Sequence, residues 1–162
     1  MDELDLALLR ELQRDARRTN RELAAATGVS PSTSLERVRS LRERGVIRGF
    51  LVDVDLAQLG RPVQALIAVR IRPPSRAHID AFREWAARLP ETLGVFVVTG
   101  GEDFLLHVAL PDNNALYAFV IDKLTQRPEV ADVRTSVVYE HLRSPVVEPP
   151  GPPVARGRGR RN

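Results

Sequence analysis

The sequence predicts an α+β protein, with a helical N-terminal domain followed by a domain of β-α-β-β-α-β order. The first fifty positions carry apolar residues at the three- and four-residue spacing of amphipathic helices. From about residue 63 the period changes, and four apolar segments of strand length are interleaved with two further helical patterns. The chain of 162 residues is long enough for two small domains of this kind.

Composition favours a globular, soluble protein. Hydrophobic residues make up 43% of the chain, which is enough for a core, and no apolar run reaches the roughly 20 residues that a membrane-spanning helix needs. Acidic residues among the leucines of MDELDLALLRELQ argue against a secretory signal. The absence of cysteine excludes disulfides and thiolate metal sites. We expect a cytoplasmic location, with no membrane as a partner.

Positive charge is concentrated at the two ends of the chain. Residues 1–50 contain ten arginines and eight acidic residues, a net charge of +2, whereas residues 51–143 contain ten basic and twelve acidic residues, a net charge of −2. Residues 144–162 contain four arginines and one glutamate, a net charge of +3. A basic N-terminal segment followed by a slightly acidic central segment favours nucleic-acid binding by the first domain.

Three helices are predicted within the first domain. The first extends from about Asp2 to Asp15. The second opens at TNRE, where Thr19 and Glu22 have the spacing of a capping box, and ends at Gly28, since glycine readily adopts the positive φ of a helix stop. Three leucines are expected on the buried face of the first helix: Leu8, Leu9 and Leu12.

The third helix lies in the segment VSPSTSLERVRSLRERGVI. Ser30 is a favourable N-cap, and Pro31 suits the first helical position because its missing N–H is not needed there. Only TGVS separates the second and third helices, so residues 1–50 are predicted to form a helix-turn-helix (winged-helix-like) domain. The segment VIRGFLVDVD alternates enough to predict a strand leading away, and residues 51–62 are assigned to a linker strand.

The second domain, residues 63–143, is predicted to be ferredoxin-like. Its strands are VQALIAVRI, VFVVT, FLLHVAL and VADVRTSVVYEHL, and its helices are HIDAFREWAARL and ALYAFVIDKL. Helices cover one face of such a sheet, and in a monomer the other face should be polar. Here the second face also carries apolar residues, namely Leu66, Ala68, Leu105 and Ala109. We therefore predict self-association through that face.

The last segment, residues 144–162, reads SPVVEPPGPPVARGRGRRN. Its five prolines and four arginines leave little to bury, so the sequence predicts a disordered tail. The alternative is a non-specific phosphate tether, because clustered arginines release counterions from DNA.

Several segments, in order along nearly the whole chain, resemble the Lrp/AsnC family of transcriptional regulators, also called feast/famine regulatory proteins. DELD at 2–5 opens the first helix, and RELAAATGVSPST at 21–33 is the helix-turn-helix. RVRSLRERGVI at 37–47 carries the end of the recognition helix into the exit strand. LGRPVQALIAV at 59–69 leads into the sensor strand, and TGGEDFLLHV at 99–108 takes the place of the family's glycine-to-aspartate turn.

The resemblance implies a DNA-binding domain joined to a ferredoxin-like regulatory domain called RAM. Members of the family form homodimers that commonly assemble further into octamers, and they respond to amino acids or related small metabolites. The function that this implies is transcription regulation, with double-stranded DNA and a small-molecule effector as partners. Neither a cofactor nor catalysis is expected.

The third helix presents a polar face suited to the major groove of DNA. With Val38 at the centre of the buried side, Ser34 and Leu41 fall on that side, as does Gly45. DNA recognition needs small polar groups near base edges and cations near phosphates. The predicted DNA contacts are Ser32, Thr33, Glu36, Arg37, Arg39 and Ser40, with Arg37 and Arg39 assigned to phosphates.

Glu36 leaves two interpretations open. It either accepts a hydrogen bond from a cytosine N4 group in the groove, or it pairs with a neighbour such as Arg39, three positions on, which is the commoner arrangement on helix faces. Glu36 and the inward-facing Ser34 both depart from the pattern of the family that the sequence resembles. Both departures bear on DNA affinity and base preference.

The segment TGGED lies between the second and third strands of the sheet. On the residues alone it predicts a hairpin turn, since glycine pairs between strands usually form turns. The resemblance adds that Gly100 and Asp103 match a turn which, in relatives, helps to enclose an amino-acid effector between neighbouring dimers. Gly101 and Glu102 replace a more usual acidic and aromatic pair, so the effector's identity is not inherited. The predicted effector-binding residues are Gly100, Gly101, Asp103, Thr135 and Ser136.

Enzymatic functions are disfavoured by the sequence. His78, His107 and His141 have no metal-ligand spacing, and no nucleophile motif, P-loop or dinucleotide fingerprint is present. We expect neither a metal site nor catalytic residues. Two alternatives stay open: an enzyme of the sirohaem decarboxylase type, because some proteins built like this family have that activity, and a metabolite-sensing assembly in which Glu36 weakens DNA binding.

Overall fold

The computed structural model describes residues 1–144 and 146–150, which fall into two compact units. The N-terminal unit comprises Met1–Asp53 and the described residues from Leu142 onward, and the sheet unit comprises Val54–His141. Most of the predicted linker therefore belongs to the sheet unit, and the described part of the predicted tail belongs to the N-terminal unit. No helix within the described residues is long and apolar enough to span a bilayer.

Three helices form the N-terminal unit: α1, Glu3–Arg14; α2, Asn20–Thr27; and α3, Pro31–Glu43. The predicted end signals of α2 and α3 are confirmed. Thr19 and Glu22 form a reciprocal capping box at the start of α2, and Gly28 closes α2 with a φ of 70°. The side chain of Ser30 accepts from the backbone N–H of Thr33, so it caps α3 as expected.

A small apolar core holds these helices together. Leu8, Leu12 and Leu23 are buried, and Leu4, Val38 and Ile47 pack against them. Leu9 was predicted to be buried as well, but its side chain is only half-buried. Leu9 lines an open groove with Phe50 and Val147 and does not face the core.

The strand predicted over residues 51–62 is not formed. Residues 48–55 have no regular structure and residues 56–60 form a turn. Leu51 and Val52 are 93% and 85% exposed. A strand needs a paired neighbour for its backbone groups, and no other segment in the described part of the chain pairs with this one.

Four strands and two helical segments form the sheet unit, in the predicted order. They are β1, Val63–Ile71; α4, Arg76–Ala87; β2, Thr92–Val97; β3, Phe104–Leu110; α5, Asn113–Ala118, which continues as a π-helix over Phe119–Leu124; and β4, Val130–Val138. All strand pairs are antiparallel, in the spatial order β2-β3-β1-β4. Both β1 and β3 coincide with their predicted segments.

One face of the sheet carries the core of this unit. Ile67 and Val69 of β1, with Leu106 of β3, are fully buried under Phe82 of α4 and Phe119 of the π-helix. The Phe82 ring lies 4.8 Å from the Phe104 ring and 5.5 Å from the Trp85 ring, centroid to centroid. The alternation in the sequence therefore predicted the helix-covered face correctly.

The second face of the sheet is apolar and open to solvent in the single chain. Phe96 of β2 lies opposite Leu105 of β3, and Ala68 of β1 lies beside Leu105. Phe96 is 52% exposed, whereas Leu66, Ala68 and Leu105 are half-buried. His107 lies on the same face, where its Nε2 is 3.0 Å from Gln64 Oε1. Apolar side chains in a contiguous open patch favour a protein contact.

The part of the predicted disordered tail that the structure describes has specific contacts. Gln13 Nε2 donates to Val147 O at 3.1 Å, and Val147 N donates back to Gln13 Oε1 at 2.8 Å. Arg10 donates to both carboxylate oxygens of Glu148, at 2.6 and 3.2 Å, and this pairing lowers the pKa of Glu148 and raises that of Arg10. The sequence does not reveal these partners on α1, and the disorder predicted for residues 144–162 stays a prediction. Residues 145 and 151–162, and with them the tether alternative, lie outside the described residues.

Candidate nucleic-acid interface and effector site

The outward face of α3 carries the predicted DNA contacts. Ser32, Glu36 and Arg39 are exposed, while Thr33, Arg37 and Ser40 are partly exposed. Ser34 and Leu41 are fully buried, as predicted. The Oγ of Ser34 has no hydrogen-bond partner among the residues that the structure describes. A buried hydroxyl without a partner is unfavourable, so the Ser34 hydroxyl does not stabilise the packing of α3.

The hydroxyl groups at the start of α3 are already linked to one another. Ser30 Oγ lies 2.9 Å from Ser32 Oγ and 2.8 Å from Thr33 Oγ1. Each hydroxyl can donate to one group and accept from others. Ser32 and Thr33 therefore keep capacity for a further contact, and their assignment to DNA stays a prediction.

Arg37 is held by two acidic residues at the start of α1, the N-cap Asp2 and Asp5. Its Nη1 lies 2.7 Å from Asp2 Oδ2 and 3.3 Å from Asp5 Oδ1. The hydrogen bond that Arg37 donates to Asp2 is the first cause of the raised pKa of Arg37, and the hydrogen bond that Asp2 accepts from the backbone N–H of Asp5 is the first cause of the lowered pKa of Asp2. A phosphate would compete with these ion pairs for Arg37, which remains a predicted phosphate contact.

Asp5 is an internal anchor between α1 and α3. It is 2% exposed, and its Oδ2 accepts from Arg44 Nη2 at 2.9 Å while its Oδ1 faces Arg37. This role of Asp5 was not predicted from the sequence. The available signal was the position of Asp5 three and seven residues before Leu8 and Leu12, which places an acid in the buried stripe of the helix.

Arg39 and Glu36 do not pair with each other. Arg39 Nε donates to Glu43 Oε1 at 2.8 Å, and this bond raises the pKa of Arg39. The interpretation of Glu36 as the partner of Arg39 is therefore wrong, because Glu43, four residues on, competes successfully for the same guanidinium. Glu36 is exposed, and its carboxylate has no ion pair or hydrogen bond to any residue of 1–144 and 146–150.

Two arginines that the sequence did not assign to DNA lie at and just beyond the C-terminal end of α3. Arg42 and Arg48 are exposed, and neither guanidinium has an ion pair or hydrogen bond in the part of the chain that the structure describes. Both line an open, polar groove with Arg39 and Glu43. Arg42 lies in the last turn of α3, which ends at Glu43.

The turn between β2 and β3 is a hairpin, as predicted. Val98 N donates to Asp103 O at 3.0 Å, and Gly100 has a φ of 129° that other residues rarely adopt. Asp103 has a structural partner, because Ile71 N donates to its Oδ2 at 2.7 Å. Arg70 Nε donates to Gly101 O at 2.7 Å. These bonds fix the turn to the end of β1.

Charged side chains of both signs lie beside this turn. Arg134 of β4 pairs with Glu102 of the turn, and Arg72 Nη1 lies 3.8 Å from Asp103 Oδ2. Arg70 adds a further guanidinium on the same side of the turn. An α-amino acid needs acceptors for its ammonium group and donors for its carboxylate, and this group of residues contains both.

The predicted effector residues are not all brought together within one chain. Thr135 lies opposite Ile67 and Ser136 opposite Leu66, so the two side chains point to opposite faces of the sheet. The turn residues sit beyond Val69, on the far side of β1. Strand spacing separates β4 from β3 by roughly 10 Å. The contact between β4 and the turn is made by Arg134, which pairs with Glu102, and not by Thr135 or Ser136.

Two of the three histidines lie close together. His78 Nδ1 lies 3.0 Å from Pro73 O, while the rings of His107 and His141 are 5.7 Å apart, edge to face. Among the described residues there is no group of three or more His, Cys, Asp and Glu side chains that could hold a metal ion.

Two family models together account for almost all of the folded chain. Residues 1–48 match a winged helix-turn-helix DNA-binding model, and residues 64–146 match the Lrp/AsnC ligand binding domain, just over half of the chain. The chain belongs to the Lrp/AsnC family. It is a DNA-binding transcriptional regulator of the Lrp/AsnC type, with the α+β architecture predicted from the sequence.

Curated members of the Lrp/AsnC family are similar over most of their length. The HTH-type transcriptional regulator AldR of Mycobacterium tuberculosis is 41% identical over 143 residues, which cover 88% of this chain and 80% of that protein. The transcriptional regulator AzlB of Bacillus subtilis is 37% identical, with 85% and 88% covered. The leucine-responsive regulatory protein of Rhizobium meliloti is 36% identical, with 88% and 92% covered. These relatives are regulators, which favours regulation over catalysis for this Lrp/AsnC protein.

Solved structures of similar proteins share the fold. A transcriptional regulator from Neisseria meningitidis in complex with L-Met has a TM-score of 0.83 at 32% identity, covering 89% of this chain and 93% of that one. The E. coli AsnC structure has a TM-score of 0.81 at 28% identity, covering 92% and 99%.

Proposed function

We propose that this Lrp/AsnC regulator binds operator DNA in a manner modulated by an amino acid, or a related small metabolite, held where sheet units meet. The observation that carries the proposal is the turn between β2 and β3, whose charged residues lie beside the end of β1. This turn lies inside a segment that matches a ligand binding domain. Arg70 and Arg134 offer donors there, and Asp103 offers carboxylate oxygens. Such groups fix the orientation of a small zwitterion.

A neighbouring copy of the chain would complete this effector site. Within one chain β1 separates the turn residues Gly100, Gly101 and Asp103 from Thr135 and Ser136. Thr135 and Ser136 are exposed at the sheet edge, where they are available to a second copy. A ligand bound between copies changes the balance between assemblies, and this is how it would change DNA affinity.

A thermal-shift screen of the twenty amino acids tests the effector site. We expect one or a few of them to raise the unfolding temperature, since a ligand at 100 times its Kd adds about 2.7 kcal/mol to stability. A Thr135→Ala/Ser136→Ala double variant should lose this shift without a change in the unliganded protein, because both side chains are exposed. Thr125→Ala, an exposed hydroxyl at the end of the π-helix, serves as the matched control and should keep the shift. No response to any amino acid would contradict the effector proposal.

The second face of the sheet supplies the contact for a homodimer, and further assembly of dimers would lead to the octamer typical of the family. Phe96 is half exposed and lies opposite Leu105, with Ala68 opposite Leu105 on the next strand, and these residues would lie in the contact. We expect light scattering at micromolar concentration to show a dimer or larger species. Phe96→Glu should reduce the measured mass of the assembly, because the glutamate carboxylate would be buried in the contact. A monomeric wild-type protein under these conditions would disprove the contact.

A dimer would hold two copies of α3 at a fixed spacing. Its operator would then be roughly palindromic, with half-sites about one or more helical turns apart. Arg39, Arg42 and Arg48 are the cations that we assign to phosphates flanking each half-site, in the cytoplasm where the operator is found. Ser32, Thr33 and Ser40 face the base edges in this arrangement, beside Glu36.

A further inference from the structure

We propose that Glu36 selects a cytosine in each operator half-site by accepting a hydrogen bond from the cytosine N4 amino group. The proposal rests on operator binding in the function proposed above and does not depend on the effector. It gives one residue of this chain a defined base preference.

Glu36 has the position that base reading requires. At 100° per residue it lies 160° away from Val38, whose side chain packs against the core of the N-terminal unit. Ser32 and Ser40, one turn before and one turn after Glu36, share its exposed face. When a recognition helix enters the major groove, the centre of its outward face meets base edges, and its flanks meet phosphates.

The two arginines of α3 that lie next to Glu36 each have another partner. Arg39 bonds to Glu43, and Arg37 bonds to Asp2 and Asp5. The Glu36 carboxylate, in contrast, has no ion pair or hydrogen bond within the described residues. An intramolecular ion pair therefore does not neutralise Glu36 before the helix meets DNA.

An unpaired carboxylate in the groove is strongly selective because most groups around it are negative. Phosphates repel it, and the edges of guanine and thymine present acceptors, which would also repel it. Cytosine presents its N4 amino donor with no acceptor of its own beside it, whereas adenine places the N7 acceptor next to its N6 donor. Burying the carboxylate without a donor leaves a desolvated charge. Cytosine is thus the base that Glu36 tolerates best.

Selection from a randomised duplex pool tests the proposal with full-length protein and three variants. The wild type should enrich cytosine at one position of each half-site, and replacing that base should weaken its binding about tenfold. Glu36→Gln should enrich adenine at the same position, because an amide can bond to both N6 and N7. Glu43→Gln is the matched control, an acid-to-amide change on the same helix at a residue already bonded to Arg39, and should select the wild-type sequence. Arg39→Ala should weaken all sequences alike and lower the salt slope by about 1.

The outcomes separate this proposal from operator binding itself. If Glu36→Gln enriched the same sequence as the wild type, Glu36 would not read a base, while operator binding would stand. If the wild type enriched no sequence, both operator binding and the cytosine preference would be overturned. Circular dichroism of each variant verifies that α3 is folded, and the exposure of Glu36 and Glu43 makes a folding defect unexpected.

Discussion

Phe82→Ala lowers the free energy of unfolding of the sheet unit by about 4 kcal/mol, the typical cost of removing a fully buried phenylalanine ring. Phe82 is completely buried and contacts the rings of Phe104 and Trp85. Arg127, which stacks 4.4 Å from the Trp85 ring centroid, covers the same cluster. The cavity would therefore open at the junction of α4 with the sheet.

Trp85 provides the measurement. It is the single tryptophan of the chain and lies in the sheet unit, so its fluorescence during denaturant titration reports this unit alone. Phe96→Ala removes the same ring from the opposite, exposed side of the sheet and serves as the control. We expect Phe96→Ala to shift the titration far less than Phe82→Ala at protein concentrations where the chain is dissociated. Equal shifts would show that the two faces contribute alike and would contradict the described core.

Asp5→Asn produces the second large effect, a loss of about 2 kcal/mol from the N-terminal unit, because two hydrogen bonds from charged donors lose their anionic acceptor. Arg37 and Arg44 would then face a buried amide, whose NH₂ group donates hydrogen bonds and cannot accept one from a guanidinium. With its anchor weakened, α3 would lose its fixed orientation. We expect sequence-selective DNA binding to fall. Non-specific binding is retained because the loss of one carboxylate raises the net charge of the unit by one.

Asp2→Asn is the matched control for Asp5→Asn. It makes the same change of charge at an exposed acid that also contacts Arg37. Asparagine can still cap α1 in place of Asp2, whose side chain accepts from Asp5 N. Far-UV circular dichroism during thermal unfolding, with anisotropy on selected and scrambled duplexes, distinguishes the two variants. If both had the same small effect, Asp5 would not be an anchor.

Much of the fold could be predicted from the sequence because local signals determine it. Capping at Thr19 and Ser30 and the glycine stop at Gly28 depend on neighbouring residues only, and the structure places them as expected. The alternation in β1 and β3 identified the buried face for the same reason. The strand predicted over 51–62 failed because pairing is a non-local requirement that one segment cannot reveal.

The candidate DNA interface shows the same division between local and non-local signals. The helix period identified its outward face, with Ser34 and Leu41 inward. It did not reveal which charges are already paired. Arg37 bonds to acids that lie 35 and 32 positions away in the chain. Arg39 pairs with Glu43 and not with Glu36. Side-chain partners across helices therefore had to come from the structure.

Sequence-selective duplex binding is the central claim, and one titration tests it most directly. Full-length protein is titrated by fluorescence anisotropy against a duplex enriched by selection and against a scrambled duplex of the same length and composition, at about 150 mM salt. We predict at least about 1,000-fold tighter binding to the enriched duplex, the lower end for specific regulators. Equal affinity for the two duplexes, or no binding to either, would contradict the claim.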